Sequence, residues 1–365
     1  MNLRLFACTC LLIISALACK PNYSQEHVAN YTQQASIHAY LNELMATHQI
    51  PGAAVAVIHH GAVLHEGYYG LASLEFEVPV SEKHMFRVYS TTKLLVATAI
   101  FQLQEKGLLN INDPLAKHLS NLAPTWKDIT IKHLLTHTSG LPDFIRFESQ
   151  MPNDAMWEKL SSTPMEFETG TQWRYNQTNY WLLALIIEKL SNQSLHDFIA
   201  IQQFEGNPKG LLLSSDSREV LPNRISKYNF DHSQGHYSRS IDKEQSRGLA
   251  GNGLNISLKK FITWAQKLEN DELLSPQSKA EMWSSHGMAA VRRAFLMGWG
   301  NYSYDNVKSY GFTGGGVSAF RHFPNEELTI IFLSSGFEST SVNGYVINEI
   351  AGLVTPNLLR PTIAQ

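Results

Sequence analysis

Over residues 35–47 the apolar positions Ile37, Leu41, Leu44 and Met45 recur at helical spacing, and Pro51-Gly52 then breaks the chain. Residues 53–58 and 62–69 are short β-rich runs joined by His60-Gly61, which predicts a hairpin. A strand ending near Tyr89 gives way to an apolar helical pattern over 90–106, closed by Gly107. Residues 108–250 hold further helical stretches, notably 180–190, and few convincing strands. Another helix is predicted over 257–268, strands over 295–299, 317–323 and 328–333, and a last amphipathic helix over 342–353. The polar stretch 205–250 predicts a long loop region beside the junction of the parts. Strands at both ends with helices between predict an α+β fold: one antiparallel sheet flanked by helices, built from both chain ends, with a mainly helical region inserted. Sites often sit where two such parts meet.

The first residues follow no such pattern. Arg4 supplies a positive start, residues 5–17 carry no charge, and Ala16-Leu17-Ala18 puts small residues where a signal peptidase needs them. Residues 1–18 therefore predict an export signal, too short for the ~20 residues of a spanning helix. Two cleavage readings fit: release after Ala18, or the bacterial lipobox pattern ending in Cys19. Lipidation of Cys19 is preferred, because it gives a use to a thiol left alone in an exported chain. The expected location is the periplasm, with the protein lipid-anchored to the membrane or otherwise secreted.

Composition narrows the chemistry. The 365 residues, 44% hydrophobic and 17% charged, suffice for a large core. With Lys+Arg 29 against Asp+Glu 32, no positive field gathers phosphates, so nucleic acid is not an expected partner; charge points to no protein partner either. Cys8, Cys10 and Cys19 all precede the folded part, which excludes cysteine catalysis, an internal disulfide and a thiolate metal cluster there. His133 and His137 stand four apart, a spacing able to bind zinc, but no glutamate follows His133 in the metalloprotease pattern and no third ligand is evident. No metal or cofactor is expected. Trp264, Trp283 and Trp299 read as packing before substrate platform.

Ser90-Thr91-Thr92-Lys93 places a hydroxyl and an amine on one helix face. Ser240/Lys243 and Ser257/Lys260 share the spacing, so context has to choose. Only Ser90 precedes a strongly apolar helix (Leu94, Leu95, Val96, Ala97), where Lys93 would be desolvated near the positive helix end. Both effects lower an amine pKa and make it a proton acceptor.

Ser90-Thr91-Thr92-Lys93 has company in order along the chain: Ile50-Pro51-Gly52, Gly107-Leu108-Leu109-Asn110-Ile111-Asn112-Asp113-Pro114, Leu134-Leu135-Thr136-His137-Thr138-Ser139-Gly140-Leu141, Tyr175-Asn176-Gln177 and Phe312-Thr313-Gly314-Gly315. Over about 37–355 the chain resembles the serine β-lactamase and penicillin-binding superfamily, in its class C-like branch with D-alanyl peptidases and carboxylesterases. The resemblance implies a catalytic domain over 36–355. Its α/β part would take about 36–90 and 255–355 and its helical part about 91–254, after a linker at 19–35 and before a tail at 356–365.

It further implies a serine hydrolase working through an acyl-enzyme on an ester, amide or lactam carbonyl of a small-molecule or peptide-like substrate. Ser90 would be the nucleophile and Lys93 its base. Tyr175 would be a second acid/base, its phenolate supported by Lys93. The amides of Ser90 and Gly315 would form the oxyanion hole, with Gln177, Phe312, Thr313 and Gly314 binding substrate. Two positions depart from the family pattern. Gln177 lengthens the usual asparagine by one methylene, and Phe312 replaces the usual lysine or histidine, removing a partner for substrate carboxylates. The expectation therefore leans to esterase-type substrates. The alternatives are a class C-like β-lactamase or D-alanyl carboxypeptidase, or a penicillin-binding or cell-wall-sensing module without turnover.

Overall fold

The computed structural model describes residues 23–285, 295–304, 306–336 and 342–358. The leader at 1–18, Cys19 and tail residues 359–365 lie outside the described residues. Helix α1 (Tyr23–Thr47) begins inside the stretch read as a linker, so its apolar face from Ile37 onward is its docked second half. Strands β1 (Gly52–His59) and β2 (Ala62–Ser73) form the expected hairpin. His60 and Gly61, at φ 52° and 71°, supply the two left-handed residues of a tight turn matching strand twist. β3 (Val78–Pro79) and β4 (Met85–Arg87) follow, then the central helix α2 (Thr92–Glu105).

Helices α3 (Leu115–His118), α4 (Ile131–Leu135), α5 (Asn153–Ser161), α6 (Gln177–Ser191) and α7 (Leu195–Phe204) make up the inserted part. The polar stretch 205–250 holds more structure than the expected loop. It contains β5 (Leu211–Leu213) and a hairpin of β6 (Tyr228–Asp231) and β7 (His236–Arg239), and runs into α8 (Leu249–Asn252). Its strands escape a hydrophobicity pattern because they lie at edges, and β7 is exposed or half-buried throughout.

β8 (Leu254–Ser257), α9 (Leu258–Glu269), α10 (Pro276–Met282), β9 (Gly300–Asn301), β10 (Tyr310–Gly314), β11 (Ser318–Phe323), β12 (Leu328–Ser334) and α11 (Val342–Val354) complete the order. The strand expected at 295–299 is absent. Phe295 makes an isolated bridge to Gly300, and Gly298 at φ 82° turns the chain. β10, not recognised from periodicity because two of its five residues are glycine, takes the place beside β11.

The large sheet runs β3-β2-β1-β12-β11-β10-β9, with antiparallel pairing throughout. Its strands come from the two ends of the chain, as the pattern predicts. Period-two alternation divides its faces: Val55, Val57, Ile330 and Phe332 meet Ile37, Leu41 and Ile350 on one side. Ala54, Ala56, Ile331 and Leu333 meet α2 and α9 on the other. A short sheet, β4-β8-β5, lies at the entrance to α2. Every residue from Thr92 to Leu103 is buried, so α2 is a helix enclosed on all sides and its first turn is the meeting point of both parts.

Candidate active site

The site begins in the turn between β4 and α2. Tyr89 takes φ 46°, a left-handed conformation costly for a tyrosine, and Ser90 follows in a short 3-10 turn, Tyr89–Thr91. Neighbours hold the strain. The Val88 amide donates to Leu254 O (2.9 Å), Ser318 Oγ donates to Val88 O (2.7 Å), and Leu254 N donates to Thr92 Oγ1 (3.1 Å). β8 and β11 thereby clamp the turn from two sides.

Lys93 is completely buried one helical turn on. Its Nζ donates to Gln177 Oε1 and to Gly251 O, each at 2.9 Å, and lies 4.8 Å and 4.9 Å from the ring centres of Tyr175 and Tyr180. Burial pulls its pKa down from 10.5 to about 7, against the weaker opposing fields of Asp143 and Glu244. A neutral amine has two N–H donors, and two carbonyl oxygens receive them, which leaves the lone pair for an incoming proton. The other two Ser-x-x-Lys spacings lack this setting: Ser257 caps α9, and the Lys260 amine sits in an exposed contact with Asn207 O, while Lys243 is exposed.

Tyr175 donates its O–H to Ser90 Oγ at 2.8 Å. Burial, more than any neighbour, raises its pKa, so the resting residue is a phenol. This corrects the expectation of a Lys93-supported phenolate: Lys93 meets the ring face, and the hydroxyl proton points at the serine. Ser90 Oγ reaches a second partner, Asn252 Oδ1, at 3.5 Å.

Gln177 stands at the first position of α6, capped by Asn176. Its longer arm brings Oε1 onto Lys93, while Nε2 donates to Asn252 Oδ1 at 3.5 Å and its amide N–H donates to buried Asp143 Oδ1 at 3.2 Å. Gln177, expected to bind substrate, is buried here with its side-chain amide held between Lys93 and Asn252.

β10 brings the third motif alongside. A Cβ at Gly314 would stand 2.0 Å from Val88 O and 2.9 Å from Ser90 N, and one at Gly315, at φ 56°, would meet the Tyr89 ring at 2.5 Å. Only glycine lets this backbone lie against the Ser90 amide. Phe312 lies 6.1 Å from Tyr175 in a stacked arrangement and 5.4 Å from Phe295, edge to face. With half-buried Thr313 they form an aromatic wall.

His133 forms a capping box with Thr130 at the start of α4. His137 is buried with its ring 4.5 Å from Tyr175. Its Nδ1 takes hydrogen bonds from Asn176 N and Asn179 Nδ2, each 3.1 Å, which puts the proton on Nε2. Burial, then Lys93, lowers its pKa well below the usual value, so the ring packs as a neutral prop under the tyrosine.

Asn252 and Glu244 were not found from sequence. Asn252 Nδ2 donates to Glu244 Oε2 at 3.5 Å. The one available signal was Gly251-Asn252-Gly253, a polar residue between glycines just before an apolar strand. A cavity of about 400 Å³ opens beside the site, lined by Tyr89, Arg87, Lys227, Arg224 and Val317, and reaches neither Ser90 nor Lys93.

Comparison with known proteins bears on the family and the fold. The chain is 26% identical over 333 residues to the putative penicillin-binding protein PbpX of Bacillus subtilis (strain 168), covering 91% of this chain and 81% of that one. It is 30% identical over 261 residues to penicillin-binding protein 4* of the same organism, covering 65% of this chain and 56% of that relative. Solved structures share the fold: a penicillin binding protein from Bacillus halodurans (TM-score 0.73, 20% identity, 85% of this chain and 98% of that one) and EstCE1, a hydrolase with promiscuous acyltransferase activity (0.73, 17%, 90% and 99%). The D-amino acid amidase of Ochrobactrum anthropi SV3 matches equally well (0.73, 17%, 90% and 99%). The family model described as Beta-lactamase matches residues 37–351, and the chain belongs to that family.

Proposed function

We propose that the protein is a serine hydrolase that transfers an acyl group to Ser90 and then to water, acting on esters or amides without a carboxylate beside the scissile bond. The observation that carries the reading is the 2.8 Å hydrogen bond from Tyr175 to Ser90 above a buried, low-pKa lysine. Ser90 loses its proton to neutral Lys93 as Oγ attacks the carbonyl carbon, and the amides of Ser90 and Gly315 hold the oxyanion. Tyr175 gives its proton to the departing oxygen or nitrogen, and the Lys93 ammonium then re-protonates Tyr175. Water attacks the acyl-enzyme with Lys93 again as acceptor, and Ser90 recovers its proton.

The esterase leaning is supported by Phe312, which offers a ring where a basic residue would hold a substrate carboxylate. Relatives named as penicillin-binding proteins support acylation by β-lactams, and the named hydrolase and amidase support turnover of other acyl compounds. We also propose export and lipidation at Cys19, on the small-residue pattern before it.

A fluorophosphonate is expected to add one equivalent of mass at Ser90, and Ser90→Ala to abolish both labelling and ester hydrolysis; hydrolysis persisting in that variant overturns the assignment. Because the base is the unprotonated lysine, kcat/KM is expected to fall about tenfold per unit as pH drops below about 7. A flat profile from pH 5 to 8 contradicts Lys93 as acceptor. A p-nitrophenyl ester is expected to give at least tenfold the kcat/KM of nitrocefin, and the reverse order defeats the substrate ranking. Intact mass of the mature protein from a bacterial host is expected to carry acyl mass that Cys19→Ser removes; equal masses rule out the lipid.

A further inference from the structure

We propose that the cavity behind Tyr89 is a second ligand site, taking a carboxylate with an apolar tail at Lys227. It stands apart from the acyl-transfer reading above, because it uses neither Ser90 nor Lys93.

The cavity, about 400 Å³, is of small-ligand size. Tyr89 belongs to both sites: its ring lines the cavity and packs on Gly315, and Arg87 and Lys227 lie 4.5 Å and 5.0 Å from the ring centre. Five cationic residues line the cavity against two carboxylates, Glu219 and Asp242. Most of the cations are already answered. Arg87 pairs with Asp242 at 3.1 Å, Arg218 donates to Asp216, and Arg239 donates to Ser226 Oγ at 2.7 Å with Glu75 3.7 Å away. Arg224 turns its terminal nitrogens to Ser214 Oγ and to the carbonyls of Asp216, Ser217 and Glu219. Those acceptors take its hydrogens and leave it without an ion pair among the described residues.

Lys227 has neither an ion pair nor a hydrogen bond among the described residues, and it is half-buried over the Tyr89 ring. Burial, opposed by Asp242 and reinforced by Arg87, pulls its pKa down, so the ammonium is held there at a cost that an anion beside it removes. Ser240 stands opposite. Its N–H donates to Lys227 O at 2.8 Å, continuing the β6–β7 ladder, and side chains of facing residues share one face. The Ser240 hydroxyl also makes no bond among the described residues, so a carboxylate at Lys227 meets a second donor. One free ammonium suits one negative charge. A doubly charged phosphate asks for more donors than the occupied guanidiniums leave, and Asp242 and Glu219 in the same wall oppose its second charge.

The tail follows from the rest of the lining. Val220 and Ile241, 98% and 72% exposed, border the same cavity as Leu221 and Val317. Exposed apolar side chains are ordinary when scattered singly; two at one cavity fit a ligand that covers them.

Titration calorimetry at pH 7 tests this with octanoate, acetate, 1-octanol and octyl phosphate. Octanoate is expected to bind one equivalent with a Kd of about 0.1 mM, at least tenfold tighter than each of the other three. Lys227→Met is expected to weaken octanoate at least tenfold, and Lys227→Arg to stay within threefold of wild type, which separates lost charge from a damaged fold. Ile241→Ser is expected to weaken octanoate at least threefold. Ser90→Ala and Phe312→Ala, which alter the active site, are expected to leave the octanoate Kd within threefold. No saturable octanoate binding, an unchanged Kd in Lys227→Met or in Ile241→Ser, or loss of binding in Ser90→Ala or Phe312→Ala overturns the proposal. Tighter binding of octyl phosphate or 1-octanol than of octanoate overturns it as well. None of these outcomes bears on the serine hydrolase, whose own test is labelling at Ser90.

Discussion

One constraint organises the molecule: an amine has to be buried beside a hydroxyl without becoming a charged group in the core. Lys93 achieves this by standing in the first turn of a helix enclosed on all sides, where desolvation outweighs the carboxylates nearby. A displacement from 10.5 to about 7 corresponds to roughly 5 kcal/mol against the ammonium. The rest of the fold has to supply that burial. The sheet covers one side of α2, the inserted helices cover the other, and the carbonyls of Gln177 and Gly251 come from α6 and α8 to satisfy the neutral amine. If either side receded, water would restore the charge and remove the proton acceptor.

The same crowding explains the backbone around Ser90. Two motifs distant in sequence, the turn after β4 and the glycines ending β10, occupy one narrow layer. The strain at Tyr89 is offset by bonds from β8 and β11 and by the Asp242 and Arg87 contacts to its side chain. Here the nucleophile's position is set by the sheet more than by its own helix. A change in β10 that looks remote in sequence therefore acts directly on the serine.

Much of this was legible in the chain. Hydrophobic period announced α2, α6, α9 and the inner strands β1, β11 and β12, because each is long and buried. The sheet built from both ends followed from strand runs at the two termini. β10 and β5 to β8 were not legible: they are short, glycine-interrupted or at edges, and their pairing depends on partners far along the chain. Ser90, Lys93 and Tyr175 could be named from spacing and resemblance, and the structure brings them together. That the phenol keeps its proton could not be read, since it depends on desolvation by the surrounding fold and on the lysine meeting the ring face rather than the hydroxyl. Asn252 and Glu244 were hidden for a similar reason. Single polar residues in a polar stretch carry no signal until a fold sets them beside a nucleophile.

The resting charges follow from these facts. Burial lowers the Lys93 amine to about 7, keeps Tyr175 a phenol and His137 uncharged, so among these three groups the charge that changes near neutral pH is that of Lys93. The fixed charges stand at the rim, where Arg87 and Asp242 largely answer each other and Glu244 is left less fully matched. In a low-dielectric pocket an unbalanced rim charge acts on a bound substrate more strongly than it would in water. Position and proton affinity are set apart: the glycines ending β10 and the bond from Ser318 to Val88 O hold the Ser90 backbone, while burial tunes the Lys93 amine and the Tyr175 phenol.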